Sequence, residues 1–249
     1  MKIVFLAAND PIYLPSFFER VLAERARSVA AVFAVPPLYK GQSSVQAAWR
    51  YFRTFGAGAT VGLVRKLAGA RRHGQSIEAV CARYGVPYGV REDVNAPEFL
   101  DELRGLGCDV VVSVSCPQIF QRELIELPER GCLNIHGAIL PAYRGVMPSF
   151  WMLANGERQA GVTIFFVNED IDAGDVCGQR IFEILSDETL DGFLVRSKAI
   201  SADLLLEVLA DIENGVARRE PLDLSAGSYF SWPTAEAVDR FRAAGRKLW

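Results

Sequence analysis

Short apolar runs alternate along the chain with stretches of helical spacing, and Gly, Pro or Asn/Asp clusters punctuate them. Residues 2–8 form an apolar run that ends at Asn9-Asp10-Pro11, which predicts a strand and then a turn. Residues 15–27 carry Phe17, Phe18, Val21 and Leu22 at helical spacing. Val29 to Val35 is a second apolar run, stopped by Pro36-Pro37. Strand, helix and strand at this spacing predict a parallel α/β sheet, whose ligands lie outside the carboxyl ends of the strands. Asn9 and Asp10 then stand at the mouth of a cleft and are candidate substrate contacts, although Asn-Asp-Pro is also ordinary turn chemistry.

Residues 43–73 read as a helical elaboration broken near Gly56 and Gly58, with Trp49, Phe52, Leu63, Val64 and Leu67 on its apolar faces. Ser76 to Tyr84 predicts a short helix ended by Gly85. Asn95 with Glu98 three residues on predicts a cap for a helix reaching Leu106. Asp109 to Val114 is nearly continuous in valine, as expected of a strand buried on both faces. Pro117 to Phe120 follows, then a helix over 121–127 and an apolar strand from Gly131, which Pro141 should end. A helix over 147–155, a strand from Val162 to Val167 and a strand from Gly178 to Ile184 come next. Ser186-Asp187-Glu188 is expected to cap a long helix to about Ile212, stopped by Asn214-Gly215. The tail holds a loop, Ser228 to Pro233, and a helix from Ala235 to Arg242. Residues 1–185 are read as the core, with 186–249 as a C-terminal helix and tail packed on the same domain.

At 249 residues the chain is long enough to bury about 70–75% of its unfolded surface, and one domain is the expectation. No stretch approaches the ~20 apolar residues of a membrane span. The first six residues run straight into a strand and lack the length of a signal sequence. Cysteines at 81, 108, 116, 132 and 177 form no Cys-x-x-Cys pair and have no clustered histidines, so neither a disulfide framework nor a metal site is expected. Reduced thiols and a cytoplasmic location follow. Cys116 and Cys132 flank the motif strands described below and are read as buried apolar groups rather than nucleophiles.

The net charge of −3 hides an asymmetry. Between Arg25 and Ile77 there is no acid and nine cations, at 25, 27, 40, 50, 53, 65, 66, 71 and 72, so the rest of the chain carries −12. General nucleic-acid binding is not expected of so acidic a chain. The basic block can meet a diphosphate or an anionic surface, and 43–73 is a candidate lid, peripheral membrane contact or homodimer contact.

The candidate chemistry lies in 131–145. Asn134 and His136, two apart on a strand, share a face, and His136 is one of only two histidines in the chain. An amide donor beside a proton shuttle at a strand end suits acyl transfer to or from an amine. Downstream, the strand from Val162 to Val167 runs into a loop with Asp170, Asp172 and Asp175. Together these stretches resemble the formyltransferases that use 10-formyltetrahydrofolate, which act on methionyl-tRNA, glycinamide ribonucleotide or amino sugars, or hydrolyse the formyl-folate. The resemblance rests on Asn134-x-His136, Ile139-Leu140-Pro141, Gly161-Val162-Thr163 and Asp172-Ala173-Gly174, with Pro117-Gln118-Ile119-Phe120 preceding them. It covers roughly residues 1–185. Ala138 departs from the serine common there, and the first loop lacks a glycine-rich phosphate cradle.

The resemblance implies a Rossmann-like three-layer α/β sandwich with a mostly parallel twisted sheet, 10-formyltetrahydrofolate as donor and no metal. It implies Asn134 as oxyanion donor, His136 as proton donor and Asp172 as the carboxylate that favours a charged His136. It places the pterin between Gln118, Ile119 and Phe120 and the loop of Val167, Asn168, Glu169, Asp170 and Ile171, with Cys132 in the same set. Tyr143 and Arg144 join Asn9 and Asp10 as candidate acceptor contacts. The expected acceptor is a small primary amine, phosphorylated or nucleotide-linked, and an amino sugar first among these. The short tail without basic enrichment disfavours methionyl-tRNA, and Ala7-Ala8-Asn9-Asp10 disfavours glycinamide ribonucleotide. Competing expectations are hydrolysis of the formyl-folate, although that subgroup carries an extra N-terminal domain, and a non-catalytic binding module.

Overall fold

The computed structural model describes residues 1–36 and 43–249; Pro37 and Lys40, singled out above, lie outside the described residues. In chain order the elements are β1 (Ile3–Ala8), α1 (Leu14–Arg25), β2 (Val29–Val35), α2 (Ser44–Phe55), α3 (Ala57–Arg72), α4 (Ile77–Tyr84), β3 (Tyr88–Val90), α5 (Pro97–Leu106) and β4 (Val110–Val114). There follow α6 (Arg122–Ile125), β5 (Cys132–His136), β6 (Arg144–Gly145), α7 (Pro148–Ala154), β7 (Gln159–Phe166), β8 (Val176–Glu183), α8 (Leu190–Glu213), β9 (Tyr229–Phe230) and α9 (Ala235–Ala243).

The main sheet has the order β3-β2-β1-β4-β5-β7-β8. The first five strands are parallel, and β7 and β8 are added antiparallel at one edge. From β1 the chain winds outward through β2 and β3, then returns to place β4 on the other side of β1. That reversal opens a crevice at the carboxyl ends of β1 and β4, the usual ligand position in such sheets.

Helices cover both faces, which completes the expected three-layer sandwich. Ile3, Phe5, Val110, Val112, Leu133 and Ile164 point to one face, where α1, α4 and α8 supply Phe17, Phe18, Val80, Leu205 and Val208. Val4, Leu6 and Val111 point to the other, against Phe99, Leu100 and Leu103 of α5 and Leu124 of α6. A further apolar cluster joins Phe55 of α2, Phe150 and Trp151 of α7, Phe193 of α8 and Phe241 of α9. Phe150 and Phe241 stack with ring centroids 5.2 Å apart.

Side-chain caps open α2, α4, α8 and α9, and two helix starts differ from expectation. Ser43 and Gln46 close a capping box on α2, and Ser76 caps α4, which left-handed Gly85 terminates. The residue before α5 is Ala96, which makes no side-chain cap; Asn95 is instead spent on Ile119 O at 3.0 Å and Gln121 N at 2.8 Å. Thr189, not Ser186 to Glu188, caps α8, and Glu188 pairs with Arg196. The helix expected over 121–127 shortens to α6, since the residue before Pro128 is biased out of helical geometry. Two short strands in the 144–145 and 229–230 segments pair with each other, so the tail is more than a loop.

The strand expected to run to Pro141 ends earlier, at His136. Residues 138–141 then form a turn held by buried Thr163. Its hydroxyl donates to Ala138 O at 2.7 Å and accepts from Leu140 N at 3.2 Å and Gln179 Nε2 at 2.9 Å. This is a physical reason for threonine in the Gly161-Val162-Thr163 strand. One side chain on β7 fixes where β5 stops.

Candidate active site

β5 pairs with β4 on one side and with antiparallel β7 on the other. Asn134 and His136 share a face of β5, as their spacing requires, and both line a cleft of about 590 Å³. The loop after β7 brings Asp172 across to them. Gly174 permits this crossing, because a methyl there would overlap the carbonyl of Phe166.

The three polar groups meet. Asp172 Oδ1 lies 3.5 Å from Asn134 Nδ2, and its Oδ2 lies 3.6 Å from His136 Nδ1 and accepts from Gly145 N at 2.8 Å. The 3.6 Å separation is an ion-pair distance, too long for a hydrogen bond. The other ring nitrogen of His136, Nε2, is 2.8 Å from Tyr143 O. A carbonyl only accepts, so Nε2 carries a proton by assignment from this partner. Nδ1 is left as the nitrogen that faces Asp172.

Backbone geometry around this cluster is unusual. Among the described residues, Ser115, Tyr143, Met147 and Asp172 are the non-glycine residues with left-handed φ, at 54°, 59°, 54° and 49°. Three line the cleft, and the fourth supplies the carbonyl on His136. Such conformations cost about 1–3 kcal/mol each and concentrate where a site over-determines them.

The cofactor set proposed from sequence separates into two groups. Gln118, Ile119, Phe120, Val167, Asn168, Asp170 and Ile171 line the cleft. Ile119 and Ile171 are 65% and 44% exposed there, apolar surface that a flat ring would cover. Gln118 is tied down by Val94 N and Glu92 O, so its amide orders the wall. Cys132 and Glu169 do not belong to the lining. Cys132 is buried at the start of β5 against α6, with Sγ 3.4 Å from Leu124 O, and burial raises its pKa; the shared face of β5 reaches the cleft only from Asn134 onward. Glu169 is exposed outside it.

The acceptor candidates also divide. Asp10 lines the cleft; Asn9, Tyr143 and Arg144 do not. Asn9 continues the β1–β2 pairing through its N–H to Val35 O at 2.9 Å. Tyr143 turns its hydroxyl to Glu157 at 2.6 Å, and Arg144 lies in the β6–β9 pair with Nε buried and unpartnered. The described residues of the basic block do not line the cleft either. Arg50 stacks over the Trp232 ring at 4.2 Å, and Lys66 pairs with Asp191. Among the described residues, the only cation lining the cleft is Lys198 of α8.

Sequence reasoning missed Lys198. Its ammonium donates to Ser115 Oγ at 2.8 Å. Desolvation lowers its pKa, opposed by the carboxylate of Asp10; desolvation raises that of Asp10, opposed by the N–H groups of Ile12 and Tyr13 and then by Lys198. A signal did exist. Leu190, Leu194, Ser197, Lys198 and Ser201 fall on one stripe of α8, and a lysine in such a stripe is rarely buried without a partner. Tyr13 was also missed; it lines the cleft and donates to Asp191 Oδ1 at 2.8 Å. No cluster of potential metal ligands occurs among the described residues.

Known proteins resemble this chain in sequence and in fold. A methionyl-tRNA formyltransferase of Kosmotoga olearia is 29% identical over 229 residues, covering 92% of this chain and 64% of the relative. This chain spans less than two thirds of the length of the curated relatives it matches first. A sugar N-formyltransferase from Shewanella sp FDAARGOS_354 superposes with a TM-score of 0.61 at 21% identity, over 93% of this chain and 77% of that one. An N-formyltransferase from Helicobacter canadensis, solved with folinic acid and dTDP-3-aminofucose, gives 0.61 at 17% identity, over 98% and 80%. These two likenesses establish the fold. The family profile described as formyl transferase matches residues 1–209, and the chain therefore belongs to the formyl transferase family.

Proposed function

We propose that the protein transfers a formyl group from 10-formyltetrahydrofolate to the primary amine of a small, anionic acceptor, with a nucleotide-linked amino sugar as the expected example. The observation that carries this reading is the meeting of Asn134, His136 and Asp172 on one wall of an open cleft. Family membership and the dTDP-amino sugar bound by the Helicobacter canadensis protein support the choice of donor and acceptor.

The donor supplies an activated one-carbon unit. Asn134 Nδ2 donates to the charge that develops on the formyl oxygen, a contribution worth about 2.7–4 kcal/mol of barrier. As the new C–N bond forms and the bond to the folate nitrogen breaks, one proton leaves the amine for Asp172. Another passes from His136 Nδ1 to the departing nitrogen. A positioned acid or base of this kind contributes roughly 10²–10⁴-fold. Tyr143 O and Gly145 N hold the imidazole and the carboxylate in these roles. Lys198, the cation in the lining, would fix an anionic group of the acceptor.

A second reading, methionyl-tRNA as acceptor, is favoured by the named activity of the sequence relatives. Incubation with 10-formyltetrahydrofolate, with and without a panel of amines that includes methionyl-tRNA, separates the cases. The proposal expects tetrahydrofolate release that depends on a small anionic amine. Release without any amine would make the protein a hydrolase, release with methionyl-tRNA alone would install the second reading, and none at all would leave a binding module.

A further inference from the structure

The cleft leaves the exposed part of the basic elaboration unused. One side of α2 and α3 is consumed by the fold. Phe55 is buried in the cluster with Phe150 and Phe241, Lys66 pairs with Asp191, and Gly62 lies against the Trp249 ring. The other side is bare. Val45, Trp49 and Phe52, spaced by four and three residues, form one stripe of α2 and are 78%, 59% and 39% exposed. The Trp49 and Phe52 rings stack on each other at 5.4 Å. On α3, Val61 and Val64 are exposed three residues apart. Arg53, Arg65, Arg71 and Arg72 are exposed on the same two helices, and none makes an ion pair among the described residues. Residues 44–72 contain six cations and no acid.

A surface both apolar and of one sign narrows the partner. A second copy meeting it through a two-fold axis would set cations against cations. A nucleic acid would satisfy the arginines and could stack a base on the aromatic pair, but would leave Val45, Val61 and Val64 in water. An anionic bilayer satisfies both, because guanidinium groups meet lipid phosphates while aromatic and aliphatic side chains enter the acyl boundary. We propose that α2 and α3 dock the protein on an anionic lipid surface. The proposal is independent of the acceptor assigned above, since no exposed residue of this face lines the cleft.

The test is flotation of the full-length protein with phosphatidylcholine vesicles and with vesicles containing phosphatidylglycerol, at low and high salt. The expected result is partition onto the anionic vesicles only, weakened by salt, and reduced at least ~10²-fold when Arg53, Arg65, Arg71 and Arg72 are all changed to Glu. Vesicle addition should shift tryptophan emission to the blue, and Trp49→Phe should remove the shift while Trp151, Trp232 and Trp249 remain. Amine-dependent folate release by the charge-reversed variant, equal to that of the parent, shows that the fold and the cleft are intact. The proposal is overturned by failure to float with anionic vesicles, by equal binding to neutral vesicles, or by a salt-stable dimer that buries the face. RNA retention that vanishes with the same four substitutions, in the absence of vesicle binding, also overturns it.

Discussion

At the residue scale, Lys198 illustrates how a charge is held in a partly desolvated cleft. Lys198 has one hydroxyl partner and a carboxylate farther off, so desolvation dominates and its pKa is lowered. Its ammonium is present below that lowered pKa and is lost as pH rises through it, earlier than for an exposed lysine. KM for an anionic acceptor should therefore climb on the alkaline side before the usual lysine range, with kcat changing less. Lys198→Met should raise KM by about 10–100-fold, as expected for a hydrogen bond to a charged group, and remove that climb. A parent-like KM and pH profile in the variant would exclude the lysine from acceptor binding. Asp172 was legible from sequence because it sits in an Asp-x-Gly loop downstream of Asn134-x-His136. Lys198 was missed, because it reaches the cleft from a helix 26 positions further along, and its signal, a place in the α8 stripe, is not tied by local spacing to the motif. Cys132 shows the opposite error. Its parity on β5 matched Asn134 and His136, but strand parity says nothing about where along a strand the core ends and the cleft begins.

At the element scale, the ends of β5 and β7 do more than their middles. Val-rich β4 and the apolar runs of β1 and β2 were readable because both faces of a central parallel strand are buried. β3 was not, since Tyr88, Gly89 and Val90 offer neither an apolar run nor an alternation; its place depends on pairing with β2. The stop of β5 was misplaced at Pro141 because the true determinant, Thr163, lies on another strand. Thr163→Val keeps the shape of the side chain and leaves Leu140 N, Ala138 O and one contact of Gln179 unpaired, so it should lower unfolding free energy by about 1–3 kcal/mol. Chemical denaturation measures this directly, and an unchanged midpoint would show that the 138–141 turn holds without the hydroxyl. Gly174→Ala should be worse for function than for stability, because the carbonyl of Phe166 occupies the space and the loop must move Asp172 away. An expected loss of at least ~10²-fold in turnover can be compared with circular dichroism of the same sample. Full activity would mean that the loop tolerates the methyl by a shift elsewhere.

At the scale of the whole molecule, the tail is fastened to the core by side chains distributed over the chain. Phe241 of α9 stacks on Phe150 of α7, Trp232 Nε1 donates to Thr54 Oγ1 at 2.9 Å, and β9 pairs with β6 beside the cleft. Tyr229 of that strand lines the cleft itself. We propose on these contacts that residues 1–185 and 186–249 fold as one cooperative unit. Phe241→Ala, which empties a buried aromatic position, should cost about 3–5 kcal/mol and shift far-ultraviolet and tryptophan transitions together. Two separated transitions would assign the tail to an independent unit. The motifs around Asn134, His136 and Asp172, through the family resemblance they carry, locate the candidate catalytic cluster, whereas the walls supplied by α8 and the tail emerge only when distant segments meet.

The central claim is that Asn134, His136 and Asp172 act on one reacting group as a set, and the most direct test is a double-mutant cycle on single-turnover formyl transfer. His136→Ala and Asp172→Asn should each slow the step by at least ~10²-fold with the fold intact. Because both serve the same proton inventory, the double variant should be little slower than the slower single variant. Near-parental rates in either single variant, or fully multiplicative losses in the double, would contradict the account.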